Sequence, residues 1–460
     1  MTDTAADQAD QAERADQAAQ GQQGDNGIIA ELESWLASNW DPDLTVGEWW
    51  ERLGTAGWSA PYLPEHAYGR GLLRADANRV AEVIGEFGAL GAPGGLGLLL
   101  AAPTIAAHGT QEQIDLYVRD IVTGKKAWCQ LFSEPAAGSD LAGLQTRAVR
   151  DGDEWIVNGQ KVWTSGGQIA DLGMLLARTD PDVPKHQGIS YFAVDVHQPG
   201  VDVRPLREMT GRALFNEVFL TEARVADAAL IGGMNQGWAV ANTTLANERA
   251  GLGSGGGNAA GGVATPGTVV GDLERRAGDF VRSGKRSSGR RSGGEGSLLG
   301  ASRGGADLLI ALARATDQVG DPIIRQELAR LYTWGELGRF NSLRLKAAKE
   351  AGRDIPGMPN IAKLSMSQIM RMARDLGMQI AGVAGTLHAY DDEGRAGLTD
   401  DVMNPMVKMV TEIALFAQAP PIYGGTDQVQ RNIIGERVLG LPKEPNNDRT
   451  TPFSELPKNN

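Results

Sequence analysis

Apolar residues recur at helical spacing from the first large side chains onward: Ile28, Leu32, Trp35 and Leu36, then Val46, Trp49, Trp50 and Leu53, then Val80, Val83, Ile84 and Phe87. Positions three and four apart share one face of an α-helix, so each group predicts an amphipathic helix. A turn-rich link from Gly57 to Pro64 separates the second from the third. The stretch "APTIAAHGTQEQIDLYVRDIVTGKKAWC" predicts two short helices split at His108-Gly109-Thr110, with Thr110 and Gln113 at capping-box spacing. From about Ala127 to Ile231 the period changes to alternation broken by turns, and "LGMLLARTD", "GISYFAVDV" and "NEVFLTEARV" read as short antiparallel strands. Thr146, Ala148 and Val149 before a polar Asp151-Gly152-Asp153 turn, with Trp155, Ile156 and Val157 after it, predict a hairpin whose flanks are loops. Helices return at Gly237-Trp238, and long periodic segments around Ile323–Ala347, Asn360–Ala384 and Asn404–Ala419 predict a bundle.

The fold class that follows is α+β and multidomain. A disordered tail (1–26) precedes a helical N-terminal domain (27–126), a middle antiparallel β-barrel or sandwich (127–232), a C-terminal helical bundle (233–445) and a C-terminal tail (446–460). The first 26 residues carry almost no large apolar side chains and cannot offset the entropy of ordering. Residues 251–305 interrupt the bundle with Gly- and Ser-rich chain and read as a mobile surface loop. Within it Gly251, Gly253 and Gly256 match G-x-G-x-x-G, but with no strand before them they do not make a dinucleotide fold. The basic cluster of Lys285, Arg286, Arg290 and Arg291 has a secondary reading, attraction of phosphate groups at the rim of a pocket.

Composition narrows the function classes. With 460 residues, 42% hydrophobic and 22% charged, the chain has the makeup of a globular protein with a substantial core. A net charge of −13 argues against nucleic acid as principal partner. One cysteine, Cys129, excludes an intramolecular disulfide and suits a reducing compartment. No apolar run long enough for a membrane span and no signal-peptide pattern is present, so a cytoplasmic location is expected. His66, His108, His186, His197 and His388 are scattered, and no metal site is expected.

The chemistry concentrates between Trp128 and Gly167. Ser133, Ser139, Thr164 and Ser165 offer hydroxyls, and Phe132 and Trp163 offer apolar faces, which is what a flat conjugated ring requires. "SEPAAGSD" followed one hairpin later by "NGQKVWTSGG" resembles the acyl-CoA dehydrogenase family, whose members hold FAD with these segments. The resemblance extends over about 28–445 and implies the helices–strands–helices architecture. It also implies that Gln130, Phe132 and Ser133 border the isoalloxazine, with Trp163 and Ser165 on its other side and Ser139 near the pyrophosphate and the CoA moiety. A second signature, Ile422-Tyr423-Gly424-Gly425-Thr426-Asp427-Gln428, resembles the family's last-helix motif, and there Thr426 and Gln428 would contact the cofactor. The segment Gln379-Ile380-Ala381-Gly382-Val383 resembles one that reaches flavin across a dimer interface, though its small residues suit helix-end packing equally. Gln379, Gly382 and Val383 would carry that contact.

Many members carry the catalytic glutamate where this chain has Gly424. Abstracting the α-proton of an acyl thioester needs a carboxylate beside that carbon, and glycine supplies none. Glu248, followed by Arg249, matches the "ER" of members whose glutamate lies early in the C-terminal domain, and it is the expected base. An exposed carboxylate near a helix end is the plain alternative. Gly424 would then donate its backbone N–H to the thioester carbonyl and leave room for a bulky acyl group, with Tyr423, Gly425, Arg249 and Ser139 as further substrate contacts.

The implied reaction is FAD-dependent α,β-desaturation of a long-chain, branched or sterol-like acyl-CoA to the trans-2-enoyl-CoA, with electrons passed to an electron-transfer flavoprotein. The expected assembly is a homo-oligomer, dimer or tetramer, or a heterotetramer with a related chain. The segment Ala315–Pro322 lacks the family's cross-subunit arginine motif, which keeps open a co-catalytic or non-catalytic subunit of a heteromeric dehydrogenase. An acyl-CoA oxidase is the other alternative.

Overall fold

The computed structural model describes residues 27–253, 271–281, 305–351, 353–398, 404–445 and 448–457. The 1–26 tail, Gly256 and the basic cluster from Lys285 to Arg291 lie outside them, as does the side chain of Arg249. The described chain forms two compact units, one built on the N-terminal helices and one on the strands and the C-terminal helices.

In the first unit, α1 (27–39), α2 (Val46–Thr55) and α3 (Arg74–Phe87) enclose a core of Leu32, Leu36, Trp49, Trp50, Leu53, Val80, Val83 and Ile84. The indole N–H groups of Trp49 and Trp50 donate to Leu90 O and Gly91 O, each at 2.7 Å, so both rings are buried without stranding a donor. The capping box between Thr110 and Gln113 is present as the spacing predicts. The helix α4 (Ala102–His108) crosses the division between the units, with Leu99–Thr104 belonging to the second.

The insertion departs from the surface-loop expectation. Its described part, 271–281, belongs to the first unit. Val46 N–H donates to Arg275 O at 2.8 Å and Gly47 N–H to Leu273 O at 2.9 Å. These are the first two amides of α2, which have no acceptor within their own helix. In return Ala277 N–H donates to Leu44 O at 2.8 Å, and the Ala277 side chain is fully buried in the tryptophan-rich core. Leu273 and Phe280 pack against the same core, so both backbone pairing and apolar side chains anchor this segment.

The second unit carries one eight-stranded sheet in the order β6-β7-β3-β2-β4-β5-β8, with β1 beside β4. The strands are β1 (Trp128–Leu131), β2 (Arg147–Asp151), β3 (Glu154–Ser165), β4 (Leu172–Arg178), β5 (Ile189–Asp195), β6 (Val201–Leu206), β7 (Phe215–Ala226) and β8 (Leu230–Ile231). The β2–β3 hairpin turns where Asp151-Gly152-Asp153 places it. Two expectations are corrected. β1 runs parallel to β4, as does the single Arg147–Arg178 pair joining β2 to β4, so the sheet is mixed; the long excursion between β1 and β4 is what parallel pairing requires. The flanks of the hairpin are loop over 132–146 as expected, but Trp128–Leu131 before them forms β1 and, on the other side, β3 continues through Ser165 along β7. β4 and β5 are buried almost along their whole length, which explains their unbroken apolar runs.

Beyond the sheet, α5 (Gly237–Gly253) packs on β5. A bundle then follows of α6 (Ala306–Ala315), α7 (Pro322–Glu350), α8 (Met358–Ala381) and α9 (Pro405–Phe416), sharing a core of Leu309, Leu312, Leu331, Met370, Leu376, Ile380, Val407 and Val410. The final stretch 448–457, read as a tail, docks on the β4–β5 connection: Phe453 N–H donates to Val183 O at 2.9 Å and Ser454 N–H to Pro181 O at 2.8 Å.

Replacing Ala277 with Asp puts an unpaired carboxylate into the first unit's core. The expected outcome is a loss of at least about 2 kcal/mol, read as a lowered melting temperature in calorimetry. An unchanged melting temperature would mean that 271–281 does not hold this unit together.

Candidate active site

The two motif segments become neighbours through a buried ion pair. Lys161, fully buried on β3, donates from Nζ to Glu134 Oε1 at 2.8 Å and to Phe132 O at 3.1 Å. Glu134 also accepts Gln145 N–H at 2.7 Å and Thr146 N–H at 2.9 Å, and Val162 N–H donates to Ser133 O at 2.9 Å. Burial opposes ionisation of Glu134, but the Lys161 ammonium and these donors outweigh it and hold the carboxyl below its usual range. Burial likewise lowers the Lys161 ammonium, with Glu134 pulling the other way.

A β-bulge follows at once. The register of β3 against β7 shifts between Lys161 and Thr164, and Trp163 takes φ +61. A bulky residue in the left-handed region is a strained conformation that its surroundings must enforce. It turns the indole outward, 58% exposed, with its edge on Phe215 at 5.8 Å. Thr164 points inward instead, and its Oγ1 is buried with no hydrogen-bond partner among the described residues. Phe132 is buried, Gln130, Ser133 and Ser165 are half-buried, and Ser139 is exposed. The structure thus brings Phe132 and Ser133 against the end of β3 that carries Trp163 and Ser165, with Gln130 two residues before Phe132 on β1.

Arg178 secures the far end of the loop. It donates from Nη1 to Lys185 O and from Nη2 to Ala142 O, both at 2.6 Å. The Phe453 ring covers its guanidinium at 3.7 Å. Burial pulls Arg178 down to about 10, which still leaves it charged at neutral pH. Lys185 in turn holds Asp140 at 3.0 Å and Asp448 of the docked C-terminal stretch.

The helix bearing Glu248 is seated on β5. At Gly237, its first residue, a Cβ would lie 2.5 Å from the Ser190 carbonyl carbon, so only glycine permits this approach. Ser190 Oγ accepts Asn235 N–H at 2.8 Å in the turn before the helix. Two turns into α5, Thr244 is fully buried, with its Oγ1 2.9 Å from Thr104 Oγ1 and 3.3 Å from Tyr191 Oη. The Tyr191 ring meets Phe132 edge-on at 5.9 Å. Glu248 is half-buried one turn after Thr244 and therefore on the same helix face.

The glycine pair of the last signature forms a fixed turn ahead of α10 (Asp427–Ile433). Gly424 has φ +61 and Gly425 φ +80; Thr426 caps the helix, its Oγ1 accepting Val429 N–H at 3.2 Å. Gln430 Nε2 donates to Gly424 O at 2.9 Å, and Asn360 Nδ2 holds Gln430 Oε1 at 2.6 Å. Asp427 is clamped by Lys363 at 3.1 Å and Arg371 at 2.8 Å. Burial works against its ionisation, but Arg371, Ser367 and Lys363 keep the carboxyl below its usual range. Tyr423 is half-buried and burial pushes its phenol up to about 12, whereas Gln428 is exposed.

Gln379, Gly382 and Val383 lie exposed where α8 ends at Gly382, whose φ is +56, and Val383 is 87% exposed. This end packs on α9 through Thr411 Oγ1, which donates to Gly385 O at 3.1 Å. Gln318 of the arginine-less segment donates to Ile380 O at 2.7 Å.

Three family models cover most of the chain: acyl-CoA dehydrogenase N-terminal domain over residues 26–125, middle domain over 129–222 and C-terminal domain over 291–439. Acyl-CoA dehydrogenase IpdE1 of Mycobacterium tuberculosis is 35% identical over 399 residues, covering 86% of this chain and 88% of that protein. The chain belongs to the acyl-CoA dehydrogenase family. Its fold is shared with the ChsE4–ChsE5 complex from Mycobacterium tuberculosis, at 26% identity and TM-score 0.59 over 92% of this chain and 98% of that one. It is shared as well with the Tcur3481–Tcur3483 steroid ACAD, at 24% identity and TM-score 0.63 over 92% and 98%. This places the protein among oxidoreductases acting on CH–CH bonds. The family's members are FAD-dependent flavoproteins, and the residues present suit that cofactor, with an outward-turned indole, flanking hydroxyls and a buried Thr164 oxygen lacking a partner. Among the described residues no helix is long and apolar enough to cross a membrane, and no group of three His, Cys, Asp or Glu side chains could hold a metal ion.

Sequence reasoning assigned no role to Glu134, Lys161, Arg178, Tyr191, Thr244, Asp427 or Gln430. For Lys161 a signal existed, because it falls on the inward parity of Trp155 and Val157, where a charge demands a buried partner.

Glu134→Gln leaves Lys161 buried without its counter-ion and should cost about 3–5 kcal/mol at pH 7. Since Glu134 is held below its usual range, its ionised form stabilises the fold above the unfolded value of about 4.3. That contribution disappears as pH falls below that value toward the folded one. Thermal unfolding of wild type and variant should therefore differ at pH 7 and converge toward acid. Equal stability at pH 7 would remove the pair from its organising role.

Proposed function

We propose that this protein desaturates a bulky acyl-CoA, long-chain, branched or polycyclic, between Cα and Cβ, with Glu248 as the base. The observation that carries this reading is the linkage from Phe132 through Tyr191 to Thr244, which sets one face of α5 beside the flavin loop. Glu248 is the carboxylate on that face one turn on. Gly424 offers none.

FAD, when bound, supplies the acceptor for the hydride. The chain's own residues position, polarise and exclude water. Phe132, Ser133, Trp163 and Ser165 would border the flavin ring, with Gln130, Ser139, Thr426 and Gln428 as further contacts. Gln379, Gly382 and Val383 would reach the flavin of a second subunit. Glu248 takes the α-proton as the general base. The Gly424 N–H donates to the thioester carbonyl, where charge develops as the proton leaves. Ser139, Arg249, Tyr423 and Gly425 would complete the CoA side. The polycyclic option also takes support from the steroid ACAD that shares the fold. Reoxidation by an electron-transfer flavoprotein, β-oxidation in the cytoplasm, and the domain limits drawn from sequence belong to the same proposal.

Anaerobic addition of long-chain, branched and sterol-derived acyl-CoAs should bleach the oxidised flavin with one of these classes. Glu248→Gln should keep the flavin and slow bleaching by about 10²–10⁴-fold; an undiminished rate would end the assignment of the base. A second reading, a subunit that works only beside a related chain, is favoured by the absence of the cross-subunit arginine motif from Ala315–Pro322 and by the two-protein composition of the ChsE4–ChsE5 relative. Flavin retained without bleaching, with activity appearing on mixing with such a chain, would select it.

A further inference from the structure

Tyr191, Thr244 and Thr104 form a chain of three hydroxyls, each fully buried. Its direction can be worked out from its end. Thr104 Oγ1 donates to Leu100 O at 2.7 Å, the shortest link, so its proton is spent there. It can then only accept from Thr244, at 2.9 Å, a closer contact than the 3.4 Å from Thr244 to Val240 O. With its own proton committed, Thr244 accepts from the Tyr191 phenol at 3.3 Å. Burial drives the Tyr191 phenol well above its ordinary value, so it stays a donor throughout the accessible pH range.

All three protons therefore point one way, and the chain has a single satisfied arrangement. Its members sit on β5, α5 and α4. Tyr191 carries Phe132 on its ring edge, and Thr244 stands one turn from Glu248. Sliding or rotating α5 would strand a buried hydroxyl. The tight contact of Gly237 with Ser190 fixes the start of the same helix, so α5 is pinned at two points about two turns apart.

We propose that Tyr191 and Thr244 are positioning residues for the dehydrogenation, locking the helix that carries the base to the strand that backs the flavin loop. The proposal rests on the assignment of Glu248. A misplacement of the base by about 1 Å can cost as much as 100-fold in rate, whereas substrate binding does not depend on it.

The test is anaerobic flavin bleaching by a saturating acyl-CoA in the flavin-loaded full chain, assayed with its companion chain if activity requires one. Tyr191→Phe keeps the ring against Phe132 and removes only the donor; Thr244→Val keeps the shape of the side chain. Both should retain flavin and slow bleaching roughly ten- to a hundredfold, with the half-saturating acyl-CoA concentration little changed. Thr244→Ser should restore the rate, and the Tyr191→Phe, Thr244→Val double variant should be little worse than either single, because one broken link already frees the helix. Wild-type bleaching rates in both single variants would overturn the proposal. So would a loss that appears only as weaker substrate binding or lost flavin, or one that Thr244→Ser does not rescue. Glu248→Gln separates the two levels. If it bleaches at the wild-type rate, the base assignment has failed; if it is slow while Tyr191→Phe is normal, the positioning proposal alone has failed.

Discussion

The buried pair of Lys161 and Glu134 is the constraint on which the rest of the site depends. Taking two charges out of water is expensive, and an apolar pair of similar volume would often pack at no loss. An apolar pair could not do what this one does. Glu134 absorbs two backbone amides from the far end of its loop, and Lys161 holds the Phe132 carbonyl at the near end. One ion pair thereby closes a loop whose own backbone groups would otherwise lack partners. The adjacent bulge releases its strain into Trp163, and the indole turns outward because Lys161 and Thr164 are both fixed inward.

The same device recurs at the other two pieces. Asp427 is clamped between Lys363 and Arg371 while Gln430 holds the glycine turn by a carbonyl, so the turn conformation is set by side chains of two helices. On α5 no charge is used. A glycine contact and a chain of hydroxyls seat the helix, and its amphipathic character is too weak to have done so. In each case a polar group made inaccessible to water leaves one geometry that satisfies everything, and apolar packing alone would tolerate several.

Much of this was legible in the sequence, and the boundary follows physical lines. Periodicity located the helices bearing Trp49, Met370 and Val410 and the strands bearing Tyr191 and Val218, because burial of one face writes itself into side-chain identity. Thr110 and Gln113 announced their capping box for the same reason. Parallel pairing of β1 with β4 was not legible, since strand direction leaves no mark on residue type. Nor was the docking of 271–281, where backbone hydrogen bonds to Val46 and Gly47 carry no residue code and the apolar side chains that join the core, Leu273, Ala277 and Phe280, are too few to set a period. The motifs pointed to Phe132, Ser133, Trp163 and Ser165 directly, and the structure draws these together. The groups that hold them in place, Arg178, Tyr191 and Thr244, act across long sequence separations that spacing cannot reveal.

Gly424 shows how backbone and chemistry are coupled. It lies at φ +61, where a side chain costs roughly 1–2 kcal/mol. A glutamate at this position would meet that strain or force the turn to reorganise, and Gln430, Asn360 and the Asp427 clamp all resist such a change. A carboxylate on α5 meets no such obstacle, because residue 248 is ordinary helix. Two carboxylates aimed at one carbon would moreover repel each other and raise the basicity of one at the expense of the other's ionisation. Glycine in the turn and glutamate on the helix are therefore one choice made twice: the turn surrenders its side chain to keep a left-handed backbone, and the proposed base moves to the helix that the hydroxyl chain holds still.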